Sequence, residues 1–253
     1  SYAVHLLREA LPKLNMAGDV ELSAFFVGRL GQALIANGQE AEGRQMIERA
    51  LRLARQLSYR RYERHWSAIV GEQVLAEGRY EDASGHFEYA LSLYSAATPE
   101  HLAALRRASK ANLGLRRVPQ AVQHAQRAVE LAQEMGDAPA LAQAQGTLGA
   151  ALLADKHYTE AIEALQAAAA YYASALPDAS EIEVRRNLGA AQGEIGQYDE
   201  AAATYQQALQ RAEALGARLA LAQTHRDLGL LYTKRRQFAH AIRAWSAALT
   251  IYD

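Results

Sequence analysis

The sequence predicts an all-α fold, a solenoid of antiparallel helix pairs. Three observations predict it: a composition that favours helix, a segment that recurs at a nearly constant interval, and a Leu-Gly or Val-Gly step in register with that segment.

Half of the 253 residues are hydrophobic and 22% are charged, which gives ample apolar surface for a core and argues against disorder. Ala, Leu, Gln, Glu and Arg are used heavily and lose little freedom in a helix, and there are only five prolines. A formal net charge of -1 provides no field for nucleic acid or an anionic membrane, so neither is an expected partner. The absence of cysteine excludes disulfides, thiolate zinc sites and cysteine nucleophiles. No stretch approaches the roughly 18 apolar residues of a spanning helix. The start, Ser1-Tyr2-Ala3-Val4-His5, is not a secretory signal and has no initiator Met. The expectation is a cytoplasmic piece of a longer protein. Lysine only at Lys13, Lys110, Lys156 and Lys234, beside many Arg and Ala, leans toward a bacterial source.

The repeat is read by aligning 196–209 (GQYDEAAATYQQAL) with 78–91 (GRYEDASGHFEYAL), 156–169 (KHYTEAIEALQAAA) and 236–249 (RQFAHAIRAWSAAL). Weaker copies start at Gly38 and Arg116. A small residue after the turn falls at Gly43, Ala83, Ala121, Ala161, Ala201 and Ala241, at intervals of 40, 38, 40, 40 and 40. Upstream lie Leu30-Gly31, Val70-Gly71, Leu148-Gly149, Leu188-Gly189 and Leu228-Gly229, with Ala108-Ser109 in the third copy. Downstream lie alanines at 50, 90, 128, 168, 208 and 248. Between them sits a bulky residue, Ile47, Phe87, Leu165, Tyr205 or Trp245, with Ala125 the exception.

A glycine within a helix costs about 1 kcal/mol relative to alanine, so five in register require a reason. Close approach supplies it, because a helix without a Cβ at that point can lie directly on its partner. Tyr80, Tyr158, Tyr198 and Phe238 stand at the turns, where a ring fills the wedge between helices. Thr98-Pro99-Glu100 reads as a helix start, and Ser180 to Glu183 as a capping box. Pro119 opens a second helix, and Met135-Gly136-Asp137 closes one. Gly193 has no packing role in this frame.

These residues closely resemble the tetratricopeptide repeat family: Leu-Gly, then Gly-x-Tyr, Ala, a bulky residue and Ala. The resemblance implies a right-handed superhelix of helix pairs. A period of 40 exceeds the usual 34 residues and is similar to kinesin light chains, LGN/Pins-type polarity scaffolds and sensor arms of bacterial signalling ATPases. The frame divides the chain into a truncated second helix at 1–17 and six units at 18–57, 58–97, 98–136, 137–176, 177–216 and 217–253. That makes thirteen helices. The last helix keeps Leu249, Ile251 and Tyr252 apolar with no polar capping helix after it, so further protein or a self-association contact is expected at one end.

The catalytic patterns in the sequence are incomplete. His86 and His124 share a frame position, but no histidine pair has zinc-helix spacing, so no metal is expected. The glycines from Gly189 to Gly196 lack the Gly-Lys-Ser/Thr of a phosphate loop. The carboxylates mostly fall on solvated faces, with no convergent acid-base pair. Tyr171, Tyr172, Phe25, Phe26 and Trp66 read as packing. The expectation is a binding protein, not an enzyme, with no cofactor.

The family resemblance places ligand-facing side chains on the first helix of each unit, at fixed offsets from the Leu-Gly pair. It selects Arg29 and Gln32 in the first unit, Glu72 in the second, and Arg106, Arg107 and Lys110 in the third. Thr147 follows in the fourth, Arg186 and Asn187 in the fifth, and Arg226, Asp227 and Lys234 in the sixth. No unit has the Lys and Asn pair of the carboxylate-clamp subclass. Arginines interleaved with small residues fit an acidic peptide or partner segment in a concave groove. Alternatively, these arginines pair with Glu72, Glu183, Glu194 and Asp227 of the groove itself. Two functions follow from the resemblance: a protein-interaction scaffold, or a ligand-sensing or autoinhibitory arm of a larger signalling ATPase.

Overall fold

A computed structural model describes residues 2–16, 18–174 and 179–252. Among them stand thirteen α-helices and no β-strand. The chain divides into two compact units at the Leu115–Arg116 step. The first unit holds α1 (Tyr2–Met16), α2 (Val20–Ala36), α3 (Glu40–Gln56), α4 (Arg60–Ala76), α5 (Tyr80–Ser92) and α6 (Pro99–Gly114). The second holds α7 (Val118–Met135), α8 (Ala138–Ala154), α9 (Tyr158–Ser174), α10 (Ala179–Glu194), α11 (Tyr198–Ala214), α12 (Arg218–Lys234) and α13 (Phe238–Tyr252). The division falls between the two helices of the expected third repeat. The expected boundary at 176/177 lies outside the described residues.

Within the first unit each helix packs on the next, and α4 also touches α6. The second unit follows the same rule, with α8 against α10 and α10 against α12 as well. Each unit is therefore a stack of antiparallel pairs in which the first helices of successive pairs form one layer.

Within each unit, sharp turns make the pairs. All six expected turns carry a left-handed residue: Gly38, Gly78, Arg116, Lys156, Gly196 and Arg236, with φ of 81°, 75°, 58°, 63°, 83° and 60°. The chain then folds back so that a backbone N–H beyond the helix reaches a carbonyl inside it. Gln39 N–H donates to the Leu34 carbonyl at 2.9 Å, and Gln197 N–H to the Gln192 carbonyl at 3.0 Å. This closure satisfies carbonyls that a helix end otherwise leaves unpaired. Side-chain caps begin three first helices: Asp19 accepts from Leu22 N–H, Thr98 from His101 N–H and Asp137 from Ala140 N–H. One expected cap is corrected. Because α10 runs from Ala179, Ser180 lies in its first turn and not at its cap.

The register glycines do lie where helices touch. A Cβ on Gly31 would stand 2.5 Å from the Gly43 carbonyl oxygen, and one on Gly149 would stand 2.3 Å from Leu165 Cγ. Gly71 meets Phe87 and Gly189 meets Tyr205 in the same way, at 2.9 and 3.0 Å. Gly193 is a second correction: a Cβ there would stand 2.8 Å from Leu231 Cδ1 of the next first helix. Trp66, Phe87, Ile47 and Leu165 are fully buried at these seams. Burying a side chain of this size contributes about 1.5–3 kcal/mol.

Candidate binding surface

The first helices position the candidate residues, and each unit presents its own set. In the first unit, Arg29 on α2 is exposed and donates from Nη1 to Gln32 Oε1 at 2.9 Å. Arg107 on α6 pairs with Glu72 on α4 at 3.1 Å, and both side chains are moderately exposed. Burial pushes the Glu72 carboxyl above its usual range, while the Arg107 guanidinium pulls it back. Arg106 is half-buried and Lys110 exposed on α6. Beside them the Arg64 guanidinium sits 4.4 Å from the centre of the Tyr94 ring, which stacks on His101. Burial pushes the Tyr94 hydroxyl up to about 12.

In the second unit, Arg186 on α10 grips Asp227 on α12. Its Nε and Nη2 donate to Asp227 Oδ2 at 2.9 and 2.6 Å, and Nη1 donates to Gln223 Oε1 at 2.7 Å. Arg226 meets the other Asp227 oxygen at 2.9 Å. Lys234 pairs with Glu194. Thr147 on α8 donates its hydroxyl to the Gln143 carbonyl at 3.0 Å, a bond within its own helix. Asn187 is half-buried beside Arg186.

Three of the four acids weighed as internal partners, Glu72, Glu194 and Asp227, are paired with candidate cations. The fourth, Glu183, stands exposed on α10. The pairs are not equivalent. The Arg186 and Asp227 side chains are 18% and 16% exposed, whereas Lys234 and Glu194 are 45% and 37% exposed. Exposed pairs contribute about 0–1 kcal/mol and exchange partners readily. The Arg186–Asp227 fork is part of the framework.

Polar groups outside the first-helix offsets escaped the sequence reading. Glu181 is 1% exposed and meets Arg185 at 2.8 Å and Arg211 at 2.6 Å, in the wall of a cavity of about 300 Å³. Its i, i+4 spacing to Arg185 was the available signal. A second cavity, of about 310 Å³, has Leu209, Leu228 and Ala244 among its walls, with His225, His240 and Arg243. Burial pushes the His225 pKa down, opposed by Glu213. Glu63, also buried, accepts from the Tyr89 hydroxyl.

Residues 183–215 match the family model described as tetratricopeptide repeat. No curated protein matches the sequence. Solved structures share the fold at low identity. The apo form of RapI is 8% identical, over 90% of this chain and 97% of that one, with a TM-score of 0.73. A Rap protein complexed with competence and sporulation factor is 12% identical, over 99% and 85%, with a TM-score of 0.67. A Podosopora anserina chain assigned as kinesin light chain, with nearly identical TPR-like repeats, is 18% identical over 73% and 92%, with a TM-score of 0.60. At these identities the likeness is one of fold.

Proposed function

We propose, for a chain built of tetratricopeptide repeats, that its first-helix layer binds a peptide or partner segment lying across successive repeats. The observation that carries this reading is an apolar strip, mostly of small residues, flanked by an exchangeable ion pair. Ala150, Ala190 and Leu230 occupy one repeat position on α8, α10 and α12, and Leu230 is exposed. Small side chains admit a backbone, and Leu230 offers an apolar contact. Lys234 with Glu194 flanks the strip on helices that touch. A ligand carboxylate exchanges with Glu194 at little cost, because an exposed pair loses about as much as the new pair gains. Arg226 adds a second exposed cation, while Arg186 is committed to Asp227. In the first unit Arg107 with Glu72 has the same exchangeable character.

The reading is therefore an interaction scaffold with an acidic ligand segment, not a catalyst. It is supported by the fold and by the Rap complex, whose bound factor belongs to that protein. The test is capture of partners on the immobilised protein, mass-spectrometric identification, and titration of the binding segment by fluorescence anisotropy. The Arg226→Glu/Lys234→Glu double variant should bind at least tenfold more weakly. A folded double variant with unchanged affinity rejects the groove.

A further inference from the structure

The last helix pair departs from the one before it at the places where that pair is tied together. In the α10–α11 pair, Thr204 donates its hydroxyl to Gln192 Oε1 at 2.8 Å, and Arg185 donates from Nη1 to Gln207 Oε1. One period later these four positions hold Ala244, Tyr232, His225 and Ala247. Both polar partners on the second helix have become alanine, while the first helix keeps polar groups. All four residues line the cavity of about 310 Å³ formed by α11, α12 and α13.

Its α13 wall carries His240 and Arg243, both exposed. Their equivalents on α11, Glu200 and Ala203, are exposed as well, although α12 and α13 follow them. The openness of this wall therefore belongs to the repeat position and not to the place of α13 in the stack.

The lining combines an apolar floor with donors that the fold leaves unused. Leu209, Leu228 and Ala244 are 6%, 4% and 7% exposed. Among the described residues, the side chains of Glu213, His225, Tyr232, His240 and Arg243 form no hydrogen bond or ion pair. The neighbouring cavity is the opposite case, because Arg185 and Arg211 are both committed to Glu181. Donors predominate on the α13 side. Arg243 and His240 are three residues apart and share a helix face, and the Tyr232 ring lies 5.2 Å from that of His240. A guanidinium only donates, and the imidazole and phenol each add a donor. The acid in the wall stands elsewhere: burial pushes the His225 pKa down and Glu213 pulls it back, which sets that carboxylate beside His225. The volume is at the lower end of small-molecule sites, about 300–1,000 Å³.

We propose that this cavity binds a small organic acid, with its carboxylate on Arg243 and His240 and its apolar body on Leu209, Leu228 and Ala244. The site is separate from the first-helix layer and holds whether or not that layer binds a peptide.

The probe is 3-phenylpropionate, followed at neutral pH through the ring signals of 13C-labelled histidines. The signals of His225 and His240 should shift saturably, with a Kd in the millimolar range or tighter, and that of His86 in the first unit should stay in place. The uncharged 3-phenylpropanamide should bind at least fivefold more weakly. Arg243→Gln should weaken the acid at least fivefold, and Glu213→Gln should tighten it by removing a like charge. Ala247→Gln, which restores the residue of the preceding repeat, should occupy the cavity and weaken binding at least tenfold with the melting temperature kept. The proposal fails if 3-phenylpropionate leaves both histidines unshifted, if the amide binds equally, or if either Arg243→Gln or Ala247→Gln keeps the affinity. Should Ala247→Gln not fold, Arg243→Gln, at an exposed position, decides the case. A short peptide ending in phenylalanine that binds at least tenfold more tightly than the free acid would assign the cavity to a protein terminus and equally overturn it.

Discussion

Trp245 packs against the bare backbone of Gly229: a Cβ on that glycine would stand 2.3 Å from the indole Nε1. The two residues belong to α12 and α13 and are sixteen positions apart, the same separation as Gly149 and Leu165. Each pair sets how closely its two helices approach.

The distances grade the cost of filling these contacts. Gly149→Ala places a Cβ against Leu165 Cγ, near the base of a fully buried side chain, where little can move. About 2–3 kcal/mol should be lost through overpacking, offset by roughly 1 kcal/mol of helix propensity. Gly189→Leu puts a whole side chain against the Tyr205 ring and should cost about 2–4 kcal/mol. Gly193→Ala meets only the flexible tip of Leu231, so its strain and its propensity gain should cancel to within about 1 kcal/mol. Urea denaturation of the three variants checks the order. Equal losses at Gly193 and Gly149 would contradict it.

The turns give a second prediction, of opposite sign. Lys156 holds φ at 63°, a conformation that is costly for a residue with a Cβ and free for glycine. Lys156→Gly should raise stability by about 0.5–1 kcal/mol, despite glycine's greater freedom in the unfolded chain. Gly196→Lys, at φ 83°, should lower it by about 1–2 kcal/mol. Thermal melts of both variants measure the difference, and a loss at Lys156→Gly would mean that its side chain carries an unrecognised contact.

Three half-buried histidines fix the sign of the pH dependence. Burial lowers the pKa of His65, His86 and His225 from the ordinary 6.5, with Arg29 adding to the effect at His65 and Arg55 at His86. The unfolded chain therefore binds more protons than the folded one as pH falls below 6.5, and stability falls with it. Glu72 has the opposite sign. Its raised carboxyl favours the folded state below 4.5, and that contribution is lost as pH rises through the folded value. The histidine slope is thus read close to neutrality. His65→Phe, which keeps a ring on Trp66, should flatten the fall in melting temperature between about pH 7 and pH 6. An unchanged slope would remove His65 from the account.

What was legible in the sequence is what repeats within one pair. The turn at Gly196 and the contact of Gly189 with Tyr205 depend on neighbours a few turns away, and each recurs with the period. Contacts that cross from one repeat to the next were harder to read. Gly193 looked idle because its partner, Leu231, lies in the following first helix. Arg186 had Glu183 one turn before it and Asp227 one repeat after it, and spacing could not choose between them. The structure chooses Asp227, because the guanidinium reaches Asp227 and Gln223 together across the α10–α12 contact. The apolar residues Leu249 and Tyr252 of α13 were visible in the sequence, and both are exposed in the structure.

The same distinction among ion pairs yields the last prediction. Asp227→Ala removes the partner of a fork that is less than one-fifth exposed and leaves the Arg186 guanidinium partly desolvated. The cost should be about 1–3 kcal/mol, in line with losing a charge-assisted bond. Lys234→Ala breaks a pair whose members are both more than one-third exposed, and should cost no more than about 0.5 kcal/mol. Binding of the captured ligand segment should respond in the reverse order. Lys234→Ala should weaken it and reduce its salt dependence, because that ammonium is available to a ligand carboxylate. Arg186→Gln should alter stability more than affinity, since its donors are already used within the fold. Calorimetric titration in low and high salt, beside melts of each variant, separates the two effects. Should Arg186→Gln abolish binding in a protein that melts normally while Lys234→Ala leaves it intact, the division into framework and exchangeable pairs is wrong.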